Sequence, residues 1–173
     1  MKKILLLLFV LANSTIYSQQ WKMTVSGSLK DFSTQIPIVG GYVNIYANDT
    51  LIQSLACYKD GTFTIFPEQN QDYRLEFTCN GFVSRSILIS TKYVSLKDVP
   101  SYGYVSNLSI ILYKEIEGID FSIFKKPIGM ISFNSELKRF NFQIQDAGSI
   151  NEKFELLNNE YKKKEKKMRK EEK

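Results

Sequence analysis

Asp72-Tyr73-Arg74-Leu75-Glu76-Phe77-Thr78-Cys79, followed by Asn80-Gly81 and the run Phe82 to Ser90, decides the fold. Tyr73, Leu75, Phe77 and Cys79 fall at every second position with polar residues between them. A period of two marks a strand with one buried face. Asn-Gly between two such runs supplies the positive φ of a tight turn, so the stretch reads as a β-hairpin.

The same pattern extends in both directions. Leu51 to Tyr58 and Thr62 to Phe66 flank Lys59-Asp60-Gly61, a second hairpin signal. Earlier, Val25, Gly27 and Leu29 alternate, and Val43 and Ile45 alternate with Tyr42, Asn44 and Tyr46. Lys92 to Ser106 is a loop, and Asn107 to Tyr113 is a β-branched strand. Seven short strands at spacings near ten residues predict a mainly β protein, a seven-stranded Greek-key sandwich. No helical periodicity interrupts them before residue 145. Phe63, Ile65, Leu75 and Phe77 are the expected inward residues, each worth roughly 1.5–3 kcal/mol when fully buried.

Several of these segments carry a family resemblance. Val25-Ser26-Gly27-Ser28-Leu29-Lys30-Asp31 and Pro37-Ile38-Val39-Gly40-Gly41-Tyr42-Val43-Asn44-Ile45 resemble the opening of the carboxypeptidase regulatory-like (transthyretin-like) domain. Asp60-Gly61-Thr62-Phe63-Thr64-Ile65 is similar to that family's signature hairpin, and Tyr73-Arg74-Leu75 and Asn80-Gly81-Phe82 resemble its later elements. The resemblance covers residues 22–113. It departs at Gly41, where the family often has Ala, and at Cys57, where Thr is common. It implies a transthyretin-like sandwich that serves as an accessory or interaction unit of the bacterial cell envelope.

Residues 114–148 form an extension. Met130 to Phe133 and Phe140 to Ile144 read as two strands around Asn134 to Arg139, a hairpin expected on the sandwich or on its open edge. Residues 149–173 read as a helix running into a basic tail. Ser149 and Glu152 match a capping box, and Ile150, Phe154, Leu157 and Tyr161 form one apolar stripe. Past Tyr161 the helix is expected to project into solvent or fray.

At the other end, Lys2 and Lys3 precede the apolar run Ile4 to Ala12 and the polar stretch Asn13 to Ser18. That order predicts a signal peptide over residues 1–18, cleaved after Ser18. Nine apolar residues are too few for a bilayer-spanning helix of ~20. A periplasmic or outer-envelope location, with no transmembrane span after cleavage, is the expectation. The formal charge of +5 belongs mostly to the ends. Asn151 to Lys173 holds nine Lys or Arg against six Glu, while Gln19 to Ile150 balances at twelve and twelve. Nucleic acid is therefore not an expected partner, since it would need basic side chains spread over a folded face. The tail Lys162 to Lys170 reads as a solvated charged helix or as a peripheral contact with an anionic surface.

Chemistry is sparse. The chain has no His, which excludes imidazole acid–base catalysis and His-bearing zinc sites. Its two cysteines, Cys57 and Cys79, cannot build a Cys-only zinc site. They read as small core hydrophobes or as a disulfide. No cofactor or metal is expected. The acids Glu115, Glu117 and Asp120 cluster after a strand, and a hydrolase or a calcium site there is the weaker alternative to a solvated surface. Tyr42, Asn44 and Tyr46 share one face, a candidate platform for a protein or a glycan unless the extension covers it. The expected function is a non-enzymatic interaction or scaffolding module with an envelope protein partner; a carbohydrate-binding module is the alternative.

Overall fold

In β1 (Met23–Asp31) every second residue is buried, and the same alternation runs through β2 (Tyr42–Ala47), β4 (Thr62–Ile65) and β5 (Asp72–Thr78). These inward faces meet across a two-sheet sandwich in the computed structural model, which describes residues 20–144 and 147–171. The expected signal peptide, residues 1–18, lies outside the described residues. With β3 (Thr50–Ala56), β6 (Arg85–Ser90), β7 (Tyr104–Leu112), β8 (Met130–Asn134) and β9 (Arg139–Gln143), the strands form two sheets. One has three strands in the order β4-β1-β7; the other has six in the order β3-β2-β5-β6-β8-β9. Val25, Leu29, Val43, Leu75 and Phe77 have no exposed surface, and Phe63 and Ile65 are buried against them. The expected sandwich is the observed one.

The hairpin of the extension adds to an open edge, as anticipated. β8 pairs parallel to β6 and β9 closes back on β8, so the larger sheet grows from four strands to six. Trp21, Tyr104, Phe133 and Phe140 pack ring against ring where this hairpin meets the smaller sheet.

The turn at Asp60-Gly61 departs from the hairpin reading. It closes locally, with Tyr58 N–H donating to the Thr62 carbonyl and Gly61 N–H to that of Tyr58, both at 2.8 Å. The flanking strands nevertheless part to opposite sheets, β3 onto β2 and β4 onto β1. Leu29 N–H donates to the Gly61 carbonyl at 2.9 Å, and this bond draws the chain across. Gly61 has φ +74°, and a Cβ there would lie 2.9 Å from the Leu29 carbonyl oxygen. The turn is a crossover rather than a hairpin because β1 competes successfully for β4.

The C-terminal helix, α1 (Ala147–Glu171), starts two residues ahead of Ser149. Ser149 therefore sits inside the first turn rather than capping it. The apolar stripe docks as expected. Leu157 and Tyr161 are buried in a second core with Tyr113, Ile119 and Phe124, at one end of the sandwich. Beyond Tyr161 the helix continues on i,i+4 pairs, Glu160–Lys164, Glu165–Arg169 and Lys167–Glu171. No helix among the described residues is long and apolar enough to cross a membrane.

Candidate interaction site

The outward face of β2 carries Tyr42, Asn44 and Tyr46 together, as their spacing requires. The extension does not cover it. Its aromatic residues go elsewhere, Phe140 to the first core and Phe121 and Phe124 to the second. Instead a polar network ties this face to β5 and β3. The guanidinium of Arg74 lies 3.8 Å from the centre of the Tyr46 ring. Tyr46 O–H donates to Glu76 Oε2 at 3.0 Å, and Asn44 Nδ2 reaches the same oxygen at 3.5 Å. Ser54 O–H donates to Asn44 Oδ1 at 2.7 Å. Burial first, then the bond to Glu76, pushes the Tyr46 hydroxyl above its ordinary range. Tyr46 thus has one ring face occupied, and Tyr42, 48 % exposed, is the open aromatic of the trio.

Two other groups lie as the plainer of their alternative readings has them, the acids on the solvated surface and the cysteines beside the core. Glu115, Glu117 and Asp120 are all exposed, and Asp120 spends its carboxylate on Ser122, accepting from its N–H at 2.8 Å and its hydroxyl at 3.0 Å. Those bonds hold the Asp120 carboxyl below the usual range, the opposite of what a general acid needs. No group of acids or cysteines that could hold a metal ion occurs among the described residues. Cys57 and Cys79 are free thiols, half-buried against the first core. The registers Tyr42–Ala56 and Tyr42–Thr78 place them on opposite sides of Gly41. Two strand spacings of ~4.8 Å exceed the ~7 Å between Cα atoms that a disulfide spans. The disulfide reading therefore does not fit this geometry.

The edge of the larger sheet carries a feature that alternation alone did not single out. β3 ends that sheet, and nearly all of its seven residues are exposed. It reads Thr-Leu-Ile-Gln-Ser-Leu-Ala, with neither charge nor proline, and Leu51 and Ile52 are 50 % and 55 % exposed. Natural edges are usually guarded by charge, proline or a cover. Ile52 and the exposed Phe66 line a cleft of about 170 Å³ where the open margins of the two sheets face each other. The uncharged composition was the available signal; a strand's place at an edge is set by pairing, which sequence does not show.

Arg85 is the second residue that sequence reasoning passed over. It has the parity of Ile87 and Ile89, both buried, so it points between the sheets. That parity was the legible sign.

The fold defines the class, a two-sheet β-sandwich with an added hairpin and a C-terminal helix. No family model matches the chain, and no curated protein does. Among solved structures it is similar to the group B streptococcus pilus 2b backbone protein, at 14 % identity and TM-score 0.38, over 54 % of this chain and 42 % of that one. It is similar to Klebsiella pneumoniae 5-hydroxyisourate hydrolase at 16 % identity and TM-score 0.37, over 54 % and 99 %. It is also similar to catechol 1,2-dioxygenase from Acinetobacter sp. ADP1, at 10 % identity and TM-score 0.39, over 62 % and 57 %. The chain spans less than two-thirds of the length of the pilus protein and of the dioxygenase. These likenesses concern the sandwich alone.

Proposed function

We propose that this chain is an exported, non-enzymatic module of the carboxypeptidase regulatory-like kind, which binds an envelope protein by adding an extended segment of that partner to β3. The uncharged, proline-free β3 edge, with Leu51 and Ile52 half exposed, carries the reading. Such an edge presents an open row of main-chain donors and acceptors, and a partner strand gains main-chain bonds along it while alternate side chains enter neighbouring clefts. The cleft beside Ile52 and Phe66 is placed to take one such side chain. Export is supported by the Lys2-Lys3 start and the apolar run behind it, and the family reading by the motifs between Val25 and Phe82.

Tagged protein incubated with envelope extract should retain one defined partner, and Ile52→Lys should reduce that recovery at least tenfold while leaving the fold intact. Recovery of no partner, or equal recovery by the variant, overturns the reading.

A further inference from the structure

We propose that Arg85 and the cavity it lines form a binding site for a carboxylate carried on an alkyl chain, such as a medium-chain fatty acid. The cavity, about 340 Å³, opens between β6, the outer margin of β7 and the hairpin strand β9. That volume lies within the range of small-ligand sites, roughly 300–1,000 Å³. Ile87, Leu108, Ile110, Ile128 and Phe142 make its walls apolar, and the side chains of Asn107 and Ser109 sit at the rim.

Among the described residues, Arg85 is the one charged group in that lining. Its Nη1 donates to the Ile111 carbonyl at 2.6 Å, and its guanidinium carbon lies 4.7 Å and 5.4 Å from the ring centres of Phe124 and Phe154. Its buried Nε–H has no acceptor, and no carboxylate forms an ion pair with it among the described residues. A tether to Ile111 would need one neutral donor, not a full charge. Enclosing an unpaired cation is costly, and aromatic faces recover only part of that cost. Burial lowers the Arg85 pKa to about 10, so the group remains charged at neutral pH. An anion is the missing complement. One guanidinium matches a monoanion, which favours carboxylate over a phosphate dianion, and the apolar walls call for an apolar body behind it.

The test is a titration of the full chain with decanoate, read by the methyl resonances of Ile87, Ile110 and Ile128, with decanol as the uncharged analogue. Saturable shifts at all three residues are expected, with decanol at least tenfold weaker, the ratio a charge-assisted hydrogen bond supplies. Arg85→Gln should lose that discrimination. Because this substitution touches the second core, Ile144→Asp at the exposed mouth of the cavity serves as an independent variant, and should weaken decanoate at least tenfold but leave decanol unchanged. A leucine tripeptide with a free terminal carboxylate separates a peptide end from a fatty acid. Absence of shifts at these methyls, equal binding of decanol and decanoate, or binding by the tripeptide in place of decanoate overturns the proposal. Partner capture through β3 is read separately and is untouched by any of these outcomes.

Discussion

Phe32 stacks on Tyr113 with ring centres 4.3 Å apart and planes 24° from parallel. Phe32 follows β1 and Tyr113 follows β7, so the stack extends the smaller sheet into a small aromatic floor. Tyr161 of α1 stands edge-on to both rings, at 5.3 Å and 5.2 Å. Tyr113 O–H donates to Asn158 Oδ1 at 2.5 Å, which sets the helix along its axis. The helix is thus held by aromatic geometry at one end of the sandwich, not by the sheet faces.

Tyr161 has 1 % of its surface exposed and is the largest fully buried side chain among the described residues. Replacing it with Ala removes the ring that meets Phe32, Tyr113 and Phe121 and leaves a cavity. The expected cost is about 3–5 kcal/mol of unfolding free energy, typical of large aromatic truncations. Urea unfolding checks this, and limited proteolysis should show α1 released before the sandwich opens. A change below about 1 kcal/mol would mean that the helix is not docked there.

Gly27 occupies an inward position of β1 where other residues of that face are large. A Cβ at this site would sit 2.5 Å from the Leu108 carbonyl oxygen and 2.7 Å from the tip of the Phe63 ring. The first contact is backbone, so it cannot rotate away. Gly27→Ala should therefore destabilise by about 1–3 kcal/mol despite the better strand propensity of Ala. Thermal unfolding of the variant measures it.

Much of the sandwich is legible in single residues. Leu75 and Phe77 announce their side of the sheet by parity, and the extra hairpin shows itself through Met130 to Phe133 and Phe140 to Ile144. What fails is pairing. Asp60-Gly61 has every local property of a hairpin turn, yet Leu29, more than thirty residues earlier, takes the Gly61 carbonyl. A competition between distant donors leaves no trace in local spacing. The neighbours of the tyrosine face are hidden for a related reason. Tyr46 looks free by alternation, and only the register of β2 against β5 brings Arg74 and Glu76 onto it. Arg85 could have been singled out, since a cation in the phase of Ile87 and Ile89 is unusual.

Burial pushes the Cys57 thiol up from 9.0 to about 11, and neighbouring Cys79 adds to the effect. The folded value lies above the unfolded one, so this thiol supports the fold fully below about pH 9 and loses that support as pH rises towards 11. Its thiolate population near pH 8 should be about a hundredfold below that of an unperturbed cysteine. Greater intrinsic nucleophilicity offsets roughly tenfold of this, leaving alkylation about tenfold slow. Iodoacetamide labelling read by mass spectrometry should show a rate still climbing above pH 10. A plateau at pH 9 would mean that the thiol is solvated.

The β3 edge makes a demand on the isolated protein as well as on a partner. Seven residues without charge or proline, bearing two half-exposed aliphatic side chains, form a template for a second copy as readily as for another protein. One guard is present, a register shift between Ile45 and Tyr46 that disturbs β3 near Ile52, and irregularities of this kind twist an edge away from flat pairing. A single bulge leaves the strand open on either side of it. The isolated protein should therefore associate with rising concentration, and Ile52→Lys should keep it monomeric by placing a charge where the next strand would lie. Ile52 is 55 % exposed, so the substitution should change folding stability by no more than about 0.5 kcal/mol. Sedimentation across a concentration series separates the cases: association in wild type that disappears in the variant identifies β3 as the sticky edge, and association that persists in the variant assigns it to another surface.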